Sequence, residues 1–351
     1  MAIYMGMKEK FMKKFLDKSG SYNFYKEYYE KMGGNDNFDA NIELQKLRED
    51  FEKYKKSTDR TIKSYNDLFN TLFLDLEWEA NEVLRDMQIL LNELIEFINT
   101  VAKRNDLKWW IDYGTLLGAV RHGTYVPWDD DSDISMIRKD YNKFCEVIQD
   151  EINHFGLYDI ITVGFRERKI DDDTIDSFIR LFIYDKNKQG RRIIISGVDI
   201  FPYDYLKNYD EDKLDKIYYN AKLKYFRNIA KKMDYNEALK IMHDDINMSM
   251  EPTKYVVPGV EGAHGLRNLY KLKVLDADKL FPLSEVQLLN KTFPAPHDPD
   301  YHLYNIYRIY NKIPVNVRHH NRVIKYRYLD NRKELFDYYL NRLKEVNKDY
   351  E

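Results

Sequence analysis

The chain of 351 residues is too long for one small domain and suits one large domain with additions, or two. A 44% hydrophobic content allows a sizeable core beside 33% charged residues, and the net charge of −3 leaves no basic field suited to general nucleic-acid binding. The single cysteine, Cys145, excludes an internal disulfide and any cysteine-based zinc site.

The first twenty residues are basic and amphipathic without the continuous apolar core of a signal peptide. No run approaches the roughly 20 apolar residues that span a bilayer. The expected location is therefore cytoplasmic. The Lys-rich start could touch the inner face of an anionic membrane, although a solvated helix is the plainer reading. A breaker cluster follows at Gly33, Gly34, Asn35, Asp36 and Asn37. From Asn41 to Lys63 the apolar residues Leu44, Leu47, Phe51 and Tyr54 recur in a 3-4-3 spacing. That seam predicts a helix able to form a hairpin or a contact in a homo-oligomer.

A second helix is predicted from Leu74 to Arg104, with its apolar stripe at Val83, Met87, Leu90, Leu91, Leu94, Ile95 and Ile98. LKWWIDYG reads as a strand running into a Gly114 turn. Leu116 to Arg121 reads as a short helix, Tyr125 to Ile134 as a strand, and Asp140 to Asn153 as a helix carrying Cys145 as an inert residue. Strands are expected at Leu157–Arg168, Phe178–Tyr184 and Arg192–Phe201. Residues 210–248 read as helical, the proline-rich stretch beyond as short strands and turns, and the C-terminus as an amphipathic helix. The expected class is α+β, with a mixed sheet and surrounding helices. Its parts would be a helical extension over 1–75, a catalytic domain over 76–335 and a terminal helix over 336–351.

The chemistry concentrates in YGTLLGAVRHGTYVPWDDDSDI. Within a strand, Asp129, Asp131 and Asp133 would share one face and Asp130 would point to the other. Like charges on one face call for a cation, and magnesium, which takes oxygen ligands and bridges to phosphates, is the usual one. A helix opening at Gly114-Thr115 would offer backbone N–H groups and a hydroxyl to a phosphate. Asp199 lies in the aliphatic run IIISGVDIFPYD, where an acid is costly to bury without a partner. Arg180, in SFIRLFIY, needs an anion in the same way, whether the acids, the substrate or a structural ion pair.

The segments YGTLLGAVRHGTYVPWDDDSDI, VDIFPYD and LFPLSEVQL, with the preceding helix, resemble the LicD family of phosphocholine transferases. Fukutin-related ribitol-phosphate transferases share that core. The resemblance covers about residues 85–330. It implies a nucleotidyltransferase-like fold with Asp131 and Asp133 as a metal-binding pair, Asp129 as a ligand or close neighbour, and Asp199 as third ligand or general base. Gly114 and Thr115 would hold the donor phosphates, and Arg121 and His122 would contact the donor or leaving group; Tyr113 and Arg180 are further candidates for substrate binding. The implied reaction moves a phospho-alcohol, phosphocholine first, from a CDP-activated donor to a hydroxyl of a glycan or teichoic acid precursor, with Mg2+ or Mn2+ and release of CMP. The stretch KYVVPGVEGAHGLRNLYKLKVL stands where the family often has a glycine-rich loop, and donor or acceptor recognition can differ there.

Two alternatives stay open. One is a nucleotidyltransferase that moves an NMP group and releases pyrophosphate. The other is an inactive glycan- or nucleotide-binding module. Asp171–Asp173 reads as a solvated turn, and the basic cluster Arg318, His319, His320 and Arg322 as a solvated face. His264 is a candidate loop contact to substrate.

Overall fold

The structure, a computed structural model, describes residues 40–73, 80–166, 178–186, 192–259, 273–312 and 331–348. The chain divides into two compact units between Leu72 and Phe73. Helix α1 spans Ala40–Phe73, all but its last residue in the first unit. It runs well past the expected end at Lys63 because neither glycine nor proline interrupts these 34 residues. Tyr54, Tyr65, Leu68 and Leu72 on it are exposed.

The second unit opens with α2 (Glu82–Asn105), capped by the Asn81 side chain, which accepts from the Leu84 N–H at 3.0 Å. The expected start near Leu74 is displaced to this cap, and residues 74–79 lie outside the described ones. A mixed sheet follows, in the order β1 (Trp109–Ile111), β2 (Ser132–Ile137), β5 (Arg192–Leu206), β4 (Phe178–Lys186), β3 (Ile161–Arg166). β2 and β5 are parallel, while the other neighbours along this path are antiparallel. The chain is α+β, as its sequence pattern predicts.

Alternation along the strands gives the sheet two different faces. Ile134, Met136, Ile179, Leu181, Ile183, Val198 and Ile200 point to one face and pack with α2 and with α4 (Arg138–His154). Each such side chain contributes about 1.5–3 kcal/mol by burial. Cys145 on α4 sits against this core with its thiol pushed up to about 11 by burial. The C-terminal helix α9 (Arg332–Lys348) joins the same core through Phe336, Tyr339 and Leu343, against α2. The opposite face carries Asp133, Ser135, Phe178, Arg180, Asp199 and Phe201 in the same alternation.

The far half of β5 pairs with β6 (Met248–Ser249) and β7 (Tyr255–Pro258), and β7 pairs with β8 (Leu275–Asp276). The expected helical stretch over 210–248 is two helices, α5 (Glu211–Ala230) and α6 (Tyr235–Asp245). They break at Lys232, which has φ of 62°, and restart at an Asp234 cap whose carboxylate accepts from the Glu237 N–H. Between β8 and the C-terminal helix come the four-residue α7 (Ala277–Leu280), a separate hairpin of β9 (Ser284–Leu288) and β10 (Lys291–Ala295), and α8 (Pro299–Tyr307).

Candidate active site

The register of three neighbouring strands assembles the site. Asp133 of β2 is the partner of Asp199 of β5, and Asp199 is the partner of Arg180 of β4. Directly paired residues share a face, so acid, acid and guanidinium form one row across the sheet. The Arg180 Nε donates to an Asp199 carboxylate oxygen, and its Nη2 lies 3.9 Å from Asp131 Oδ2. The Phe182 and Phe178 rings lie beneath the guanidinium, with centroids at 5.0 and 5.8 Å. Of the three partners open to Arg180 on sequence grounds, the structure selects the carboxylates.

The acidic run does not lie in a strand as the alternation argument assumed. β2 begins at Ser132, so Asp129, Asp130 and Asp131 precede it and other contacts place them. Gln88 of α2 reaches over and donates to the carbonyl oxygens of Asp129 (3.0 Å) and Val126 (3.3 Å). The Asp129 N–H donates to Val126 O at 2.9 Å, and Ser196 Oγ donates to the Asp130 carbonyl at 2.6 Å. This stitching carries Asp129 and Asp131 to the end of the Asp133–Asp199 row.

Helix α3 (Tyr113–His122) supplies the fourth side of the site. It starts three residues before the expected Leu116, so Gly114 belongs to its first turn rather than to a preceding loop. Asp112 caps it, and Tyr113 takes the unusual φ of 41°. That turn aims the Gly114 N–H at Asp133 Oδ2, 3.1 Å away. A Cβ on residue 114 would lie 2.7 Å from Asp129 Oδ2 and 3.4 Å from Asp133 Oδ2, so only glycine leaves the carboxylates in place. Gly118, one turn on, is needed for close approach, because a Cβ there would meet Thr124 O and Val126 N at 2.6 Å.

The structure turns the two groups expected to face a phosphate, Gly114 and Thr115, toward Asp133. Thr115 is fully buried, and its Oγ1 accepts from the Asp133 N–H at 2.8 Å. The Gly114 amide is committed to the Asp133 carboxylate. The anion at this helix N-terminus is thus the protein's own aspartate. Tyr113 packs with Phe201 and Phe178 into an aromatic wall, backed by Ile306. Burial and the Asp112 charge push its phenol well above its usual value.

Crowding shows in the titration of the acids. Burial, followed by the charges of Asp131 and Asp133, raises the Asp129 carboxyl well above the usual carboxylate range. Burial, followed by Asp131 and Asp199, does the same to Asp133 despite the Gly114 amide. Among the described residues no group of three or more His, Cys, Asp or Glu side chains is gathered as a ready metal shell. Arg180 supplies the cation between Asp131 and Asp199 instead. The donor set itself is all carboxylate oxygen, the chemistry that suits a hard divalent cation such as magnesium.

Arg121 and His122 are not brought to this cluster. They end α3, eight or nine residues beyond Tyr113 and so about 12 Å along the axis. Burial lowers the pKa of Arg121, while burial and then Arg121 lower that of His122, and no acid of the cluster contributes to either. His264, Asp171–Asp173, Arg318, His319, His320 and Arg322 lie outside the described residues.

Three neighbours of the site escaped sequence reading. Asp112 is fully buried and accepts from the Tyr113 N–H, Ser135 Oγ and His302 Nε2, each at 2.7 Å. An acid inside the apolar run WWIDYG was a usable signal for it. His302 had none, being 190 residues away. Nor had Tyr307, whose phenol is pushed well above its usual value by burial and then by Asp133, Asp112 and Asp129. The residue as a whole is 39% exposed.

Residues 106–242 match the profile described as LicD/FKTN/FKRP, nucleotidyltransferase domain. Over this segment the chain is similar to the LicD family. It is 32% identical over 75 residues to the lipopolysaccharide cholinephosphotransferase LicD of Haemophilus influenzae. That stretch is 21% of this chain and 28% of the relative. It is 28% identical over 151 residues to an uncharacterised Rickettsia typhi protein, covering 39% of this chain and 45% of that one. It is 34% identical over 59 residues to the human ribitol 5-phosphate transferase FKRP, covering 17% and 12%. The chain thus matches less than half the length of each of these relatives. All four acids of the cluster and Arg180 fall inside the LicD-matched segment, whereas His302 and Tyr307 fall outside it. Among the described residues no helix is long and apolar enough to cross a membrane.

Proposed function

We propose that this chain transfers a phospho-alcohol from a CDP-activated donor to a hydroxyl of a glycan acceptor, phosphocholine being the first candidate, with release of CMP. The observation that carries the reading is the row Asp133–Asp199–Arg180 beside Asp131 and Asp129, inside the family-matched segment. Asp131 and Asp133 would hold Mg2+ or Mn2+, which when bound would neutralise the donor diphosphate. Arg180 would meet phosphate oxygens at the edge of the acids, a role the rings beneath its guanidinium support.

A proton must leave the acceptor hydroxyl. Asp199, third metal ligand or general base by the family resemblance, is ion-paired with Arg180. Asp129, whose carboxyl is raised by burial and by the charges of Asp131 and Asp133, is the second candidate for that role. General-base assistance of this kind is worth roughly 100- to 10,000-fold.

The test incubates the protein with Mg2+, an acceptor glycan and a panel of CDP-alcohols, and identifies the released nucleotide. CMP formed in step with phospho-alcohol on the glycan supports the proposal. Pyrophosphate released from a nucleoside triphosphate moves the reading to NMP transfer. Binding of CDP-alcohols in a calorimeter without any turnover moves it to a binding module.

A further inference from the structure

We propose that His302, on α8 outside the family-matched segment, is a positioning residue that holds Asp112 and through it the catalytic face of α3. The inference rests on the transferase reading only for its kinetic consequence.

Asp112 is 0% exposed and His302 1% exposed, so neither touches substrate. Burying a carboxylate is costly unless its oxygens are satisfied. Asp112 meets that cost with three donors: its neighbour's N–H, Ser135 across β1–β2, and the His302 imidazole. Two of them belong to the local strand and helix turn. His302 alone comes from a distant helix, itself started by the Asp298 cap and Pro299. Its ring packs against Tyr203 with centroids 6.1 Å apart.

What Asp112 holds reaches the site directly. Its own N–H donates to the Asp133 carbonyl at 3.0 Å. Two residues on, the Gly114 N–H donates to the Asp133 carboxylate. Between them Tyr113 sits at φ 41°, a strained conformation for a non-glycine residue that persists only where the surroundings fix it. The Asp112 carboxylate accepting the Tyr113 N–H is that fixture. His302 also ties α8 to this point, and Ile306 of α8 packs on the aromatic wall of Tyr113, Phe178 and Phe201 beside the acids. One imidazole therefore sets both the helix turn that grips Asp133 and the helix that backs that wall.

Two substitutions separate positioning from packing. His302→Phe keeps the aromatic volume but has no donor, whereas His302→Gln places an amide N–H near the original Nε2. In the unliganded protein, hydrogen exchange at the Tyr113–Leu116 amides should quicken about tenfold or more in H302F and stay near wild type in H302Q. In the CMP-release assay, H302F should lose about 10- to 100-fold in kcat, the range for residues that orient ligating side chains, with donor KM changed little, and H302Q should regain most of it. His302→Asn, too short to reach Asp112, replaces H302F if the latter does not fold. Unchanged exchange in H302F, or equal losses in H302F and H302Q, overturns the proposal. If the wild type turns over no CDP-alcohol, the transferase reading falls and the exchange result still decides the role of His302.

Discussion

Arg180 and Asp199 are direct partners across β4 and β5, and the guanidinium is ion-paired with the carboxylate on the face that carries Asp133. An internal cation thus occupies the acidic cluster. The two side chains are nearly buried, so the pair is held by mutual dependence more than by net gain in stability. Removing either member leaves an uncompensated charge.

Replacing Arg180 by Met should therefore destabilise the metal-free fold by about 3–5 kcal/mol, the range for breaking a buried pair. Added Mn2+ should recover more of the melting temperature in R180M than in the wild type, because the acids then lack a cation of their own. Thermal denaturation with and without the metal measures both. Equal metal-induced shifts in the two proteins would remove Arg180 as the resident cation.

Gly114→Ala should damage the site more than the fold. The added methyl would meet the Asp129 carboxylate, the end of a movable side chain, so the acid moves and the helix survives. A displacement of about 1 Å at a reacting group costs on the order of 100-fold in rate. Circular dichroism should show an unchanged melting curve alongside that loss in kcat. Gly118→Ala, by contrast, would press on the backbone of Thr124 and Val126, and its loss should appear in stability.

The pH dependence of stability has two opposing parts. The folded Asp129 and Asp133 carboxyls are raised, so the stability they contribute is full below the ordinary carboxylate value of about 4 and is lost as pH rises through their folded values. For Asp112, burial works to raise the carboxyl, but the His302, Ser135 and Tyr113 contacts outweigh it and hold it below the ordinary value. Its contribution is present above about pH 4 and is lost as pH falls through its folded value. The metal-free protein should thus melt at a lower temperature at neutral pH than in mildly acidic buffer. Saturating Mg2+ should raise the melting temperature mainly at the higher pH. A melting temperature that climbs steadily from mildly acidic to neutral pH without metal would contradict this electrostatic account.

Much of the fold was legible because periodicity and breakers are local. The strands at Trp109, Phe178 and Arg192, the α2 stripe and the C-terminal helix follow from spacing alone, and Asn81 and Asp106 shift the α2 bounds by cap chemistry. The acidic run misled because hydrogen bonds from Gln88 and Ser196, remote in sequence, hold residues 126–131 as a loop that period-2 reasoning takes for a strand. Asp199 and Arg180 were visible as charges in apolar runs, yet their pairing depends on register across β4 and β5, which spacing does not encode. Thr115 was read as a hydroxyl donor, and the structure uses its oxygen as an acceptor for Asp133. His302 and Tyr307 left no local trace, since their role exists only once α8 has docked.

The most direct test of the central claim is CMP release and glycan modification by Asp131→Ala and Asp133→Ala, assayed with Mg2+ across the CDP-alcohol panel. Both variants should fold, as judged by melting curves, and both should lose transfer while the wild type retains it. Full transfer by either folded variant would contradict the assignment of this acidic cluster as the metal-binding centre of a phospho-alcohol transferase.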